Sequence, residues 1–509
     1  MAVDNVGAMT ERPPAGAVDQ EAKGGKDGDK NKERAGFLKR NGVILAVAVF
    51  LVLFFMPTPA GMAPAGQKAL AVFCGALTLW VAGTIPIYLT SMIAIVALIL
   101  TGTVKEQTAF RTLGFDVIWL MVSAFVLTAA MVKSNLARRF ALWMIMHFGG
   151  TPKRTLLILI LVNFAITFFI PSTTARASLM VPLCIILLEI YRAVPGESNF
   201  GKLMMLTGVQ ADAVATSAVM TGTAANMISV KFIEEQAGAQ ISYMDWLIAG
   251  MPTALITMLL TFLVGMRLFK FKDEVSDFEA GKSKLEEQHR LLGPITLDEK
   301  KAMSIFLMTV LLWATEDYQE VWFNGFSISI YVTAVIAAIC CMMPRIGLLT
   351  WKEAGIKWDL MIFAAGAYAA GNALESTKGA QWVINKMVYG LGIETMDKML
   401  VYVVVIFMCM FSHMIFTSKT VRTTIMIPAI IALAKTLGMD PVSLALAASF
   451  TLTYTITLPP HSKVNTIYFA TGYFTVLEQL KYGIVTCLIG ATVISISVFT
   501  WFRVLGYGI

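Results

Sequence analysis

The chain has 509 residues, of which 57% are apolar and only 14% charged, and it carries a net charge of +7. With a mean hydropathy of +0.71, this excludes an ordinary soluble globule and points to a polytopic membrane protein. The Lys and Arg excess flanks apolar runs, so it reads as a topology signal and no nucleic-acid partner is expected.

Residues 1–41 are rich in Gly, Lys, Asp, Glu and Ala and lack an apolar core, so they read as a disordered cytoplasmic tail. The first apolar run begins near Val43, too late for a cleavable signal. A first half, 42–266, follows with spans at 43–57, 69–83, 85–102 and 113–132, a hairpin at 153–192, a broken helix at 203–233 and a span at 245–269. A cytoplasmic linker, 267–300, leads to the second half, 301–509. That half holds spans at 302–315, 326–343, 358–374 and 474–504, a hairpin at 397–436 and a broken helix at 443–470. Backbone groups in lipid must be satisfied internally, so apolar runs of this length imply helices, and the alternation of a transmembrane barrel is absent. The six cysteines all lie in apolar runs without metal spacing and read as packing residues.

Eight Lys and Arg precede Val43 and eight more lie between Arg267 and Lys301. The positive-inside rule puts both segments in the cytoplasm. Six crossings separate them, and five more place the C-terminus in the periplasm, provided each hairpin enters and leaves on one side. The core of each hairpin, 155–191 and 399–436, is about 37 residues, interrupted centrally by polar residues, which suits a re-entrant pair of short helices shielded by protein or water. The expected fold is therefore all-α, with about eleven transmembrane helices and two re-entrant helical hairpins.

The two halves match. "PSTTARASLMVP" (171–182) aligns with "TSKTVRTTIMIP" (417–428), setting Ser172, Thr174, Arg176 and Pro182 on Ser418, Thr420, Arg422 and Pro428. "FDVIWLMVSAFVLTAAM" (115–131) likewise aligns with "WDLMIFAAGAYAAGNAL" (358–374). An odd number of crossings between equivalent points makes this an inverted repeat, which in secondary transporters brackets a site at the midplane.

Each hairpin breaks at Ser-x-Thr, and hydroxyl residues are strong N-caps. Ser172 or Thr173, and Ser418, would start the second arms, aiming two helix N-termini with free N–H donors at the midplane, where they suit an anion. Substrate contacts are expected from Ser172, Thr173 and Thr174 at one tip, and from Ser418, Lys419 and Thr420 at the other. Thr223, Thr457 and Pro459 would add contacts from the broken helices. Arg176 and Arg422 follow their serines by one helical turn, and Asp212 could neutralise a nearby arginine. A cation in hydrocarbon costs about 2.5–3.5 kcal/mol on insertion scales, so these groups need a partner or a wet cavity. His461 and Lys463 either line the second break or sit at its cytoplasmic mouth, and His413 reads as a packed histidine.

The tips, the breaks with Thr221-Gly222-Thr223 and Thr457-Leu458-Pro459-Pro460, and the repeat order resemble the divalent anion/sodium symporter family, which includes bacterial citrate/succinate and tartrate/succinate exchangers. The likeness covers nearly everything after residue 40. It implies a homodimer in the bacterial inner membrane, an elevator motion against a fixed scaffold, and transport of di- or tricarboxylates or sulfate by sodium symport or exchange. The family's usual tip reads Ser-Asn-Thr; here Thr173 and Lys419 replace both asparagines. An ammonium at 419 would repel sodium and could supply its charge, so exchange without a cofactor is the expectation. If sodium is used, Ser172, Gly222 and Asn226 would hold it. The chain carries no HExxH, GxSxG or metal cluster, so no enzyme is expected. The alternatives are a sodium-coupled dicarboxylate or sulfate symporter and, less favoured, an anion channel.

Overall fold

The computed structural model describes residues 27–271, 276–390, 392–416 and 418–508; residues 1–26 of the expected tail lie outside them. Within the described residues every regular element is helical. The first helix, Asp27–Phe55, starts fourteen residues before the expected end of the tail at 41. The sequence there includes Lys30, Lys32, Glu33, Arg34 and Ala35, all good helix formers.

Pro64–Ala82, Ile87–Leu100, Asp116–Lys133, Tyr243–Leu268, Leu297–Ala314, Ile330–Met342, Trp358–Ser376 and Val476–Ser497 continue as spans. Seven helical stretches, three of them hairpin arms, are long and apolar enough by themselves to cross a bilayer. Shorter apolar helices, among them Arg40–Phe55, Ile87–Leu100 and Ile330–Met342, accompany them.

The first hairpin pairs Pro152–Phe169 with Thr173–Ile190, and the second pairs Lys398–Phe411 with Lys419–Leu437. Each second arm begins immediately after its serine: Ser172 Oγ accepts from the Ala175 N–H at 3.4 Å, and Ser418 Oγ from the Val421 N–H at 3.3 Å. Pro182 and Pro428 lie at matching depth inside these arms, each ten residues past its cap. The broken helices are Asn199–Ala218 with Ala224–Phe232, and Pro441–Thr451 with Lys463–Phe469.

Packing exchanges partners between the halves. The arm Thr173–Ile190 lies on Asn199–Ala218 of its own half and on Lys463–Phe469 of the other. The arm Lys419–Leu437 lies on Pro441–Thr451 of its own half and on Ala224–Phe232 of the other. Outside this group, Asp116–Lys133 packs on Ile330–Met342, and Trp358–Ser376 packs on Ile87–Leu100. In the latter pair Gly366 permits close approach: a Cβ there would sit 2.4 Å from the Ser91 Cβ.

Besides the short helices Glu106–Arg111 and Glu316–Trp322, three helices of more than ten residues have no counterpart in the sequence expectation. Leu136–Phe148 and Gly379–Gly390 follow the two matched spans, and Ser276–Leu291 occupies the linker. This last helix seats a fully buried Leu285 and reaches the first hairpin through Lys284 Nζ to Glu189 Oε2 at 3.1 Å.

Candidate functional site

Along both hairpins buried residues surround a short run that is not. Ser172, Thr173 and Thr174 are half-buried, as are Ser418, Lys419 and Thr420, whereas Arg176 and Arg422, one turn on, are 0% exposed. Thr223 and Pro459 in the two breaks are half-buried as well. Lys419 at the second tip feels the charges of Asp212 and Arg176 from the first half as well as that of Arg422. The charged groups behind the two tips thus lie within reach of one another.

The arginines point inward, between hairpin and broken helix, and reach neither lipid nor headgroups. Arg176 Nε donates to Asp212 Oδ1 at 2.7 Å, Nη1 to the Ile170 carbonyl at 3.1 Å, and Nη2 to the Asp212 carbonyl at 3.2 Å and to Thr216 Oγ1. The compensation expected from Asp212 is therefore a direct, fully buried ion pair. Arg422 Nη1 donates to Ser412 Oγ at 3.2 Å and Nη2 to the Leu452 carbonyl, while its buried Nε has no partner. No carboxylate pairs with Arg422 or Lys419 among the described residues.

The breaks are braced alike. Asn226 Nδ2 donates to the carbonyls of Thr216 and Val219 at 2.8 and 2.9 Å; Asn465 Nδ2 donates to those of Thr455 and Leu458 at 2.7 and 2.7 Å. In both, the acceptors lie ten and seven residues before the asparagine. These carbonyls are freed where a helix stops, and a side-chain amide is the compact group that can satisfy two of them. Gly222 is buried in the first break, where a Cβ would sit 3.0 Å from the Thr216 carbonyl oxygen. Of the residues expected to hold sodium, Ser172 is thus a helix cap, Gly222 a close-packing point and Asn226 a loop brace.

Other expected residues are placed differently. Thr457 is fully buried and lies between His413 and His461 rather than on the half-buried surface. Its hydroxyl is within reach of both rings, and that pairing outcompetes exposure. His461 is buried in the second break, and Lys463 is exposed at the start of the following helix. Asn465, Thr216 and Ser412 escaped the sequence reading. The constant offset of 239 that sets Thr216 on Thr455, Thr223 on Ser462 and Asn226 on Asn465 is the signal that could have found Thr216 and Asn465.

Residues 39–507 match the family model described as the sodium:sulfate symporter transmembrane region. The chain belongs to this family. It is therefore a multi-pass membrane transporter and not an enzyme, and the group is the divalent anion/sodium symporter family that its motifs resemble. A protein of Cupriavidus necator named only as a membrane protein is 28% identical over 487 residues, covering 92% of this chain and 93% of the relative. The candidate malate transporter YflS of Bacillus subtilis is 25% identical, covering 94% and 99%. The sodium-dependent dicarboxylate transporter SdcS of Staphylococcus saprophyticus is 23% identical, covering 90% of each. The crystal structure of the YdaH transporter of Alcanivorax borkumensis shares the fold, with a TM-score of 0.55 at 12% identity over 78% of this chain and 88% of that one.

Proposed function

We propose that this protein is a secondary active exchanger of small divalent organic anions, di- or tricarboxylates such as succinate, malate, citrate or tartrate, across the bacterial inner membrane. The observation that carries this is Lys419. Its ammonium stands at a half-buried helix start with no ion-pair partner among the described residues, beside a buried Arg422 that also lacks one. Such charge seeks an anion from outside the protein.

In this reading the two halves are an inverted repeat, and the exchanged packing of hairpins and broken helices supports it. Ser172, Thr173 and Thr174 hold one end of the dianion; Ser418, Lys419 and Thr420 hold the other, with Thr223 and Pro459 beside them. Arg176 with Asp212 secures the first tip, while Arg422 adds uncompensated charge behind the second. Both tips move as one carriage, elevator-fashion, within a homodimer whose N-terminus is cytoplasmic and whose C-terminus is periplasmic. Empty, the carriage bears unpaired buried cations and crosses slowly; loaded, it is neutralised, so exchange outruns net transport.

A sodium-coupled symporter is the second reading, supported by the printed name of the SdcS relative and by the retained Ser172 and Asn226. Counterflow distinguishes the two. Purified protein in vesicles loaded with succinate, malate, citrate, tartrate or sulfate is expected to accumulate labelled dicarboxylate equally in sodium and potassium buffers. Uptake that requires sodium would overturn exchange, and uptake with none of the anions would overturn the transport reading.

A further inference from the structure

Two histidines remain outside this scheme, and their hydrogen bonds form an ordered chain. His413 lies in the tight turn Ser412–Met414 that ends the first arm of the second hairpin, and His461 closes the turn Pro459–His461 of the second break. His413 Nδ1 is 2.7 Å from the Met410 carbonyl oxygen, and its Nε2 is 2.9 Å from Thr457 Oγ1. Thr457 Oγ1 is in turn 3.0 Å from His461 Nδ1, with the two rings 5.3 Å apart at 81°.

The direction of every bond follows from one end. A carbonyl oxygen only accepts, so Nδ1 of His413 carries hydrogen. That ring is fully buried with no carboxylate among its hydrogen bonds, so it is the neutral form and its Nε2 is a bare acceptor. Thr457 must then donate its single hydrogen to His413, which leaves its oxygen to accept Nδ1–H from His461. His461 is itself buried with no carboxylate among its hydrogen bonds, so it too is neutral, and its remaining nitrogen, Nε2, presents a lone pair. No hydrogen bond from the described residues engages it, 6% of the residue stays exposed, and its neighbours Pro459, Pro460 and Ser462 are half-buried or exposed.

We propose that His461 is a specificity-determining residue that accepts a hydrogen bond from the bound anion through Nε2. The site then favours anions that carry a donor, a 2-hydroxyl or an un-ionised carboxyl, over the plain dicarboxylate dianion. This rests on the exchange reading above and refines its substrate class. The two kinds of group divide the labour: fixed positive charge holds carboxylates and does not discriminate among them, whereas an acceptor that must be filled on desolvation does.

The test compares malate with succinate in counterflow, since the two differ by one hydroxyl. Wild-type protein is expected to show a KM for malate about tenfold below that for succinate. His461→Phe should bring the ratio to about one, and His461→Gln, which keeps an acceptor oxygen, should restore part of it. Repeating both anions at about pH 7.5 and pH 5.5 separates the donors: a hydroxyl source preserves the malate advantage, whereas a carboxyl source lets succinate gain as its protonated share rises. Because His461→Phe could misfold, 15N-histidine NMR of the wild type supplies an independent measurement. A ring of His461 protonated at Nδ1, whose Nε2 resonance moves with malate and not with succinate, is expected. Equal KM values with counterflow intact, an unchanged ratio in His461→Phe, or hydrogen on His461 Nε2 would overturn the inference alone. Absence of counterflow with either anion would instead be the failure of exchange itself, and would take this refinement with it.

Discussion

The two hairpin tips share a cap, a proline and an arginine at the same spacing, yet they balance charge differently. At the first tip Arg176 closes on Asp212 at 2.7 Å, so a cation and an anion are buried together. At the second, the position equivalent to Asp212 is Thr451, and Arg422 is left with a hydroxyl and a carbonyl. The first tip also carries neutral Thr173 where the second carries Lys419. One sequence pattern thus builds a neutral tip and a cationic one. The difference teaches that the repeat encodes backbone shape, while a few unmatched side chains determine which end of the site holds net charge.

Removing the one carboxylate should have the largest effect. Asp212→Ala leaves Arg176 buried without its counter-charge, which costs about 3–5 kcal/mol in such pairs; thermal unfolding and gel filtration in detergent should show a protein that is folded poorly or not at all. The comparison sharpens with Thr451→Asp, which offers Arg422 the partner it lacks: the fold should persist while anion affinity falls. A Thr451→Asp protein with unchanged affinity would mean that Arg422 contributes no charge to the site.

Next comes Lys419. A charge-assisted hydrogen bond is worth about 1.5–3 kcal/mol, so Lys419→Ala should raise the KM for dicarboxylate by about tenfold or more. Thr173→Ala, its positional equivalent, should change KM by no more than about threefold, since only a neutral hydroxyl is lost. Kinetics of counterflow measures both, and similar losses would erase the distinction between the tips.

The braces should instead behave alike. Asn226→Ala and Asn465→Ala each orphan two backbone carbonyls, a loss of about 1–3 kcal/mol, and their shifts in thermal midpoint should agree closely. Unequal shifts would show that one break tolerates water where the other does not.

Much of the fold is legible because its signals are one-dimensional. Apolar runs report the spans, serine before a polar interruption reports each hairpin tip, and the shared Arg-x5-Pro spacing reports the repeat. The helices Leu136–Phe148, Ser276–Leu291 and Gly379–Gly390 are not legible by those means. They are short or amphipathic and lie beside other helices, so neither length nor uniform hydropathy marks them. The site is legible by residue type and much less by direction. Ser-x-Thr identifies the tips, but whether Arg176 meets Asp212 or the half-buried tip surface depends on how a broken helix packs across the hairpin. Thr457 shows the same limit: a hydroxyl beside a helix break suggests a ligand contact, whereas His461 of the same break and His413 of the hairpin occupy it.

The smallest effect belongs outside the membrane. Lys133, aided by Thr350, holds the exposed Glu353 carboxyl down at about 2. A depressed carboxylate contributes stability that is complete above its usual range and lost only as pH falls toward that value. Glu353→Gln should therefore leave both exchange and thermal midpoint unchanged between about pH 5 and pH 8, as exposed pairs contribute little.

The central claim is that fixed cations at the second tip stand in for a co-transported ion. Net uptake of labelled dicarboxylate into vesicles that contain no internal anion, under an inward sodium gradient, tests it most directly. The expected result is no accumulation above protein-free vesicles until a dicarboxylate is placed inside. Sodium-driven accumulation in the anion-free vesicles would contradict it.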